Sequence, residues 1–246
     1  MLVVDTLVKH FGPRIAAERV SFSLTRGEVL GFLGPNGAGK STTMRMIAGR
    51  LEPDSGRVCV GEFDVATQRR AAQRLIGYLP EGAPAYPSMT PRSFVEFCLR
   101  ARGFSGAALH LATRDALERS RLGDARDQRI ATLSKGYKRR AALAAAIAHD
   151  PPLLILDEPT DGLDPNQKDQ VRALIREMAA DKAIIVSTHI LEEVPAVCSR
   201  TIVIAHGRIL ADETPAELAT RTRSGRLDDA FRALTLDTVP DVEDAA

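Results

Sequence analysis

Two short stretches of this chain have residue types and spacings that can do chemistry. The first, Gly34-Pro35-Asn36-Gly37-Ala38-Gly39-Lys40-Ser41, fits the pattern G-x-x-x-x-G-K-S/T. Glycines let such a loop wrap until its backbone N–H groups converge on a phosphate. A helix opening directly after it turns its positive dipole end on the same anion. In this pattern Lys40 reaches the β- and γ-phosphates of a nucleoside triphosphate, and the Ser41 hydroxyl coordinates Mg²⁺. The second stretch, Leu153-Leu154-Ile155-Leu156-Asp157-Glu158, is an apolar strand that ends in two acids. At the carboxyl edge of a sheet, beside the phosphate loop, Asp157 would hold Mg²⁺ through water. Glu158 could then polarise an attacking water. By itself an apolar strand ending in Asp-Glu is more commonly a solvated strand end; the glycine loop upstream turns the pair into a catalytic candidate.

The elements that must position these residues follow from pattern. Residues 2–9, 20–24 and 28–33 are short apolar or alternating segments that read as strands. A helix over 40–48 ends at Gly49, and 56–61 and 76–79 read as further strands bounded by glycine or proline. Thr90-Pro91 is a helix start, a capping hydroxyl followed by proline at the first helical position. From there to Ala148 the periodicity is helical, with a helix over 107–122, and the region reads as an inserted helical subdomain. Strands return at 153–156, 183–187, 201–205 and 209–211. The helices between and after them are read over 165–178, capped by Asp164, over 190–197, and from the capping box Thr214-Pro215-Ala216-Glu217. A last helix covers 227–234, with an acidic tail at Asp241, Glu243 and Asp244. Strand–helix alternation implies an α/β fold with a largely parallel sheet.

Composition narrows the function classes. The 246 residues are 44% hydrophobic and 26% charged, with a formal net charge of +1. That is globular composition with no basic excess, so a nucleic-acid partner is not expected. The longest purely apolar run, 141–148, has eight residues, against the roughly 20 of a membrane-spanning helix. The N-terminus lacks the basic-then-apolar order of a signal peptide. Cys59, Cys98 and Cys198 form no C-x-x-C pair, which fits a reducing cytosol better than a disulfide framework.

Further motifs give the chain a resemblance to the nucleotide-binding subunits of ABC transporters, over about residues 1–220. Leu133-Ser134-Lys135-Gly136-Tyr137 is similar to that family's signature, usually LSGGQ, with Lys135 and Tyr137 as departures. Ser134 and Gly136 keep the hydroxyl and the bare backbone N–H that can approach a γ-phosphate. Lys138, Arg139 and Arg140 follow, and a solvated basic first turn of a helix is an equal reading for them. Thr160-Asp161-Gly162-Leu163-Asp164 resembles the family's D-loop, and His189 its switch histidine. Phe11 stands where the family places an adenine-stacking aromatic. Ile76-Gly77-Tyr78-Leu79-Pro80-Glu81 resembles the segment that usually ends in glutamine, with Glu81 in its place; there a carboxylate can bind Mg²⁺ and adds charge near the triphosphate. Glu81 and the Tyr86–Thr90 run resemble an exporter subclass that includes gliding-motility and copper-site-maturation ATPases.

The resemblance implies a RecA-like P-loop NTPase core with a mostly parallel sheet, an antiparallel β subdomain and an inserted α-helical subdomain. It implies an ATPase domain over 1–220, with the helical subdomain over about 84–150, and a C-terminal extension over 221–246. Its cofactors are ATP and Mg²⁺. Nucleotide contacts fall on Phe11, Gly34, Pro35, Asn36, Gly37, Ala38, Gly39, Lys40, Ser41, Thr42, Ser134 and Gly136. Metal contacts fall on Ser41, Asp157 and Glu81, and catalysis on Glu158, His189, Lys40 and Glu81. In the family each ATP lies between one subunit's phosphate loop and another's signature. One loop and one signature therefore imply a homodimer, or a paralogous heterodimer. The motor would act on separate membrane-spanning permease subunits and sit in the cytoplasm, on the inner face of the membrane through the permease alone. The expected docking groove lies between the Glu81 segment and the helix from Pro91. Phe94, Phe97 and Phe104 are candidate contacts there, although the helical subdomain's own small core is the stronger reading of Phe94 and Phe97. The competing function is a non-transport ABC ATPase of translation or DNA repair, whose usual second nucleotide domain or long coiled coil does not occur in this sequence.

Overall fold

The computed structural model describes residues 1–236. In chain order the strands are β1 (Leu2–Phe11), β2 (Arg14–Leu24), β3 (Val29–Leu33), β4 (Ser55–Val60), β5 (Phe63–Asp64), β6 (Ile76–Leu79), β7 (Leu153–Asp157), β8 (Ala183–Thr188), β9 (Arg200–Ala205) and β10 (Arg208–Glu213). The helices are α1 (Lys40–Ile47), α2 (Arg69–Arg74), α3 (Pro91–Ala101), α4 (Gly106–Arg119), α5 (Lys135–Ile147), α6 (Pro165–Ala179), α7 (Val194–Val197), α8 (Pro215–Thr220) and α9 (Leu227–Leu236). The described strands form two sheets. One has the order β2-β1-β4-β5 and is antiparallel. The other has the order β10-β9-β3-β8-β7-β6 and is parallel except at β10. No helix among the described residues is long and apolar enough to cross a membrane.

The parallel strands are near-continuous apolar runs because both faces of their sheet are covered. Alternation sorts their side chains. Leu153, Ile155 and Ile185 join the core shared with α1 and the antiparallel sheet. Leu154, Leu156, Ile184 and Val186 join the core under α3, α4, α5 and α6. Helix α1 therefore lies between the two sheets, with Met44, Met46 and Ile47 buried. Helices α3 to α5 and two 3₁₀ turns fill the interval from β6 to β7. Thr90 and Ser93 make a reciprocal capping box at the start of α3. Leu227 and Ala230 of α9 enter the same core, and Phe231 and Leu234 pack on it.

Several sequence expectations shift. Residues 190–197 form a 3₁₀ turn over Leu191–Glu193 and then the short α7. Pro195 lacks an N–H and fits only the first turn of a helix, while Glu193 is fixed by Thr160 Oγ1 at 2.7 Å and Arg172 at 2.9 Å. Strand β2 starts at Arg14 rather than at 20. Both β5 and α2 are too short for periodicity to reveal. Phe94 is buried with Ile130 and Leu133, whereas Phe97 is 45% exposed, against the core reading. The acidic tail lies outside the described residues.

His149, just after α5, lies between the helical region and the sheet. Its Nε2 is 3.1 Å from the Ile76 carbonyl oxygen, and its Nδ1 is buried without a partner. Burial, with Arg102 nearby, pushes its pKa down from 6.5 to about 4. The folded value lies below the unfolded one, so the unfolded chain takes up the proton first as pH falls. Stability should be full above pH 6.5 and be lost progressively toward pH 4, by up to about 3 kcal/mol. Denaturant titrations at several pH values should show that slope lessened in His149→Gln; an equal slope in both proteins would contradict the assignment.

Candidate functional site

The phosphate loop leaves the end of β3, between β8 and β9. A Cβ at Gly34 would collide with the Ile204 carbonyl oxygen of β9. Gly39 has φ 109°, and a Cβ there would collide with the Ala16 carbonyl oxygen of β2. Glycine is required at both positions for steric reasons. Neighbouring turns clasp the loop: Arg14 Nη2 donates to the Gly37 carbonyl at 3.0 Å, and the Gly207 N–H to the Ala38 carbonyl at 3.0 Å. Pro35, Asn36 and Gly37 are exposed, Ala38 is buried, and Ser41 and Thr42 are half-buried in the first turn of α1. Phe11 is half-exposed at the β1–β2 turn that delivers Arg14, with Lys9 Nζ 5.7 Å from its ring centre. An aromatic face is thus available on the lip of the loop.

Lys40 is buried and folds back over its own loop, donating to the Gly34 carbonyl at 2.6 Å and the Pro35 carbonyl at 3.1 Å. Burial pushes its ammonium pKa down, and the carboxylates of Glu158, Asp157 and Glu81 oppose that push. The charges of all three predicted acids are thus felt at this one lysine. A phosphate would exchange two neutral acceptors for an anion at that ammonium. Glu81 is exposed in the turn after β6.

The acids do not border the loop strand directly. Strand β8 lies between β3 and β7, with Ser187 in register beside Asp157. The Ser187 hydroxyl donates a short hydrogen bond to Asp157 Oδ1. It also accepts the Glu158 N–H at 3.0 Å. The second oxygen of Asp157, Oδ2, is buried without a hydrogen-bond partner. An orphaned carboxylate oxygen is expensive unless something charged meets it. With the Ser41 hydroxyl, it suits a hydrated divalent cation. Glu158 takes a left-handed φ of 51°, and its Oε1 is 2.9 Å from His189 Nδ1.

The 134–137 turn is tied to the same place. Ser134 caps α5, accepting from the Tyr137 N–H at 3.4 Å. Gly136 is buried against Gln167 and Leu163. Lys135 Nζ is 2.9 Å from Asp161 Oδ2 and Arg139 Nη2 is 3.2 Å from the same oxygen. The hydrogen bond from Lys135 and the charge of Arg139 hold the Asp161 carboxyl below its usual range. Arg139 and Arg140 are 3% and 7% exposed, so the solvated reading fails for both. Arg140 instead donates to the Arg121 carbonyl at 3.0 Å and stacks on Tyr137. Sequence reasoning missed Ser187 and the contacts of Arg139. The only local signal for Ser187 was its place in the Ser187-Thr188-His189 run.

Comparison with known proteins bears on this geometry. A family model described as ABC transporter matches residues 17–161. The chain is 39% identical over 214 residues to the Nod factor export ATP-binding protein I of Bradyrhizobium diazoefficiens, covering 85% of this chain and 69% of that protein. It is 34% identical over 222 residues to the linearmycin resistance ATP-binding protein LnrL of Bacillus subtilis, covering 90% and 71%. Among solved structures, an ATP-binding subunit of an ABC transporter superposes with TM-score 0.87 at 30% identity, covering 95% of this chain and 99% of that one. A dimeric ATP-binding cassette bound to ADP and Pi, at TM-score 0.80 and 24% identity, covers 87% and 98% and shares the fold.

Proposed function

The chain belongs to the ABC transporter family as an ATP-binding subunit, and from that premise we propose that it hydrolyses Mg²⁺-ATP to drive export through a separate membrane permease. The observation that carries this reading is the Asp157–Ser187–Glu158 bridge at the carboxyl end of the parallel sheet, on the same sheet edge as the glycine loop that follows β3. In this reading the loop N–H groups and Lys40 bind the β- and γ-phosphates, and Phe11 stacks on the adenine. Ser41, Asp157 through its unpaired oxygen, and Glu81 would hold Mg²⁺, which supplies charge neutralisation on the phosphates. Glu158 takes a proton from the attacking water, whose oxygen bonds to the γ-phosphorus as the β–γ bridge bond breaks to leave ADP and phosphate. His189, hydrogen-bonded to Glu158, orients that carboxylate.

Two copies complete the sites. Ser134 and Gly136 of one copy cover the ATP held by the phosphate loop of the other, so ATP closes the homodimer and hydrolysis reopens it. The helical subdomain, about 84–150, is the lever within the 1–220 ATPase domain, and 221–246 is an extension of it. The export direction is supported by relatives named for Nod factor export and linearmycin resistance. Through its permease the motor sits on the cytoplasmic face of the membrane.

A groove of about 760 Å³ between β6 and α3 is the docking surface for the permease. Its walls include Tyr78, the exposed Phe97 and the cations Arg50, Arg70, Arg74 and Arg100, which suits a permease segment carrying apolar and acidic residues.

Glu158→Gln should retain ATP affinity, turn over at least about 100-fold more slowly, and elute as an ATP-dependent dimer. Hydrolysis at the parental rate would remove Glu158 as general base. Phe97→Asp should keep the ATPase of the isolated chain and lose co-purification with a polytopic membrane protein; undiminished co-purification would place docking elsewhere.

A further inference from the structure

Glu158 has a backbone that an L-residue adopts only under constraint. A left-handed φ costs of order 1 kcal/mol and persists where neighbours over-determine it. On its N-terminal side the constraint is the Ser187 bridge. On its C-terminal side it is Arg139, from the second turn of α5. Its Nη1 donates a short hydrogen bond to the Glu158 carbonyl and lies 3.5 Å from the Asp157 carbonyl. Its Nη2 is held by Asp161. The guanidinium is 3% exposed, and its Nε is buried without a partner. A charge kept there against its desolvation cost has the two acid-bearing residues' own carbonyls as acceptors.

We propose that Arg139 is a positioning residue for hydrolysis: it fixes the peptide carbonyl of Glu158 and thereby aims the carboxylate at the water. The proposal rests on the reading of Glu158 as general base. It also gives the 134–137 turn a second role. Arg139 shares a helix with that turn, and Lys135 grips the same Asp161. A shift of α5, such as closure on a partner's nucleotide would bring, therefore reaches the backbone of the acid in its own subunit without passing through the phosphate loop. The planar fork meets a carbonyl and a carboxylate from two nitrogens held in one rigid plane, an alignment that a single rotating ammonium does not fix.

The test is a double-mutant cycle on the full chain, read by single-turnover ATP hydrolysis and nucleotide titration. Arg139→Met should slow hydrolysis about 10- to 100-fold with ATP affinity unchanged within about twofold. Arg139→Lys should recover part of the rate. In a Glu158→Gln background, Arg139→Met should cost little further, because the residue acts through that carboxylate. A full multiplicative loss there, or a loss of ATP affinity that parallels the loss of rate, would overturn the positioning role and leave the base intact. Fast hydrolysis by Glu158→Gln alone would instead overturn the general-base reading. If Arg139→Met does not fold, Arg139→Lys carries the same cycle, with an intermediate rate that vanishes as a distinction when Glu158 is glutamine; an undiminished rate in that variant would overturn the proposal.

Discussion

One hydroxyl organises the chemistry of this chain. The Ser187 hydroxyl donates to Asp157 and shares the Glu158 N–H with the Ser187 main-chain carbonyl, so Ser187 touches both acids at once. It can do so only because β8 runs parallel to β7 in a register that puts Ser187 beside Asp157. A strand slipped by one residue would turn that hydroxyl to the opposite face. The register is held by the apolar runs of β7 and β8, whose alternate side chains are committed to two different cores. The packing of the sheet and the placement of two carboxylates are therefore the same constraint.

The rest of the site is arranged around that bridge. With one Asp157 oxygen satisfied and the other left without a partner, the buried carboxylate has a single direction in which to gain a charged contact. Lys40 is held by neutral carbonyls of its own loop, acceptors weaker than the phosphate it would meet in the proposed reading. Turns from both sheets fix the loop through Arg14 and Gly207, so the antiparallel sheet contributes rigidity as well as the half-exposed Phe11. On the far side of the acids, Arg139 and Lys135 join the Glu158–Asp161 turn to α5, the helix capped by Ser134.

The contiguous parts of this site were legible in the sequence. The glycine loop, the apolar strand ending in Asp157 and Glu158, and the cap residues Thr90, Asp164 and Thr214 are each set by neighbours a few positions away, and all form as their patterns imply. What escaped depends on distant partners. Ser187 meets an acid 30 positions earlier and Arg139 a carbonyl 19 positions later. A basic run is compatible with a solvated turn until such acceptors are in place. Phe94 and Phe97 share a helix and differ only in which face the neighbours cover, so spacing alone could not assign one to the core and the other to a groove wall. Strand β8 was seen, but not that it would lie between the loop strand and the acid strand, because strand order is not a local property.

The most direct measurement is single-turnover ATP hydrolysis by Ser187→Ala across a Mg²⁺ titration, with thermal melting as a check on folding. A folded variant with slower hydrolysis and a raised Mg²⁺ requirement is the result predicted if one hydroxyl orients both acids. Hydrolysis and Mg²⁺ dependence equal to those of the parent would contradict it.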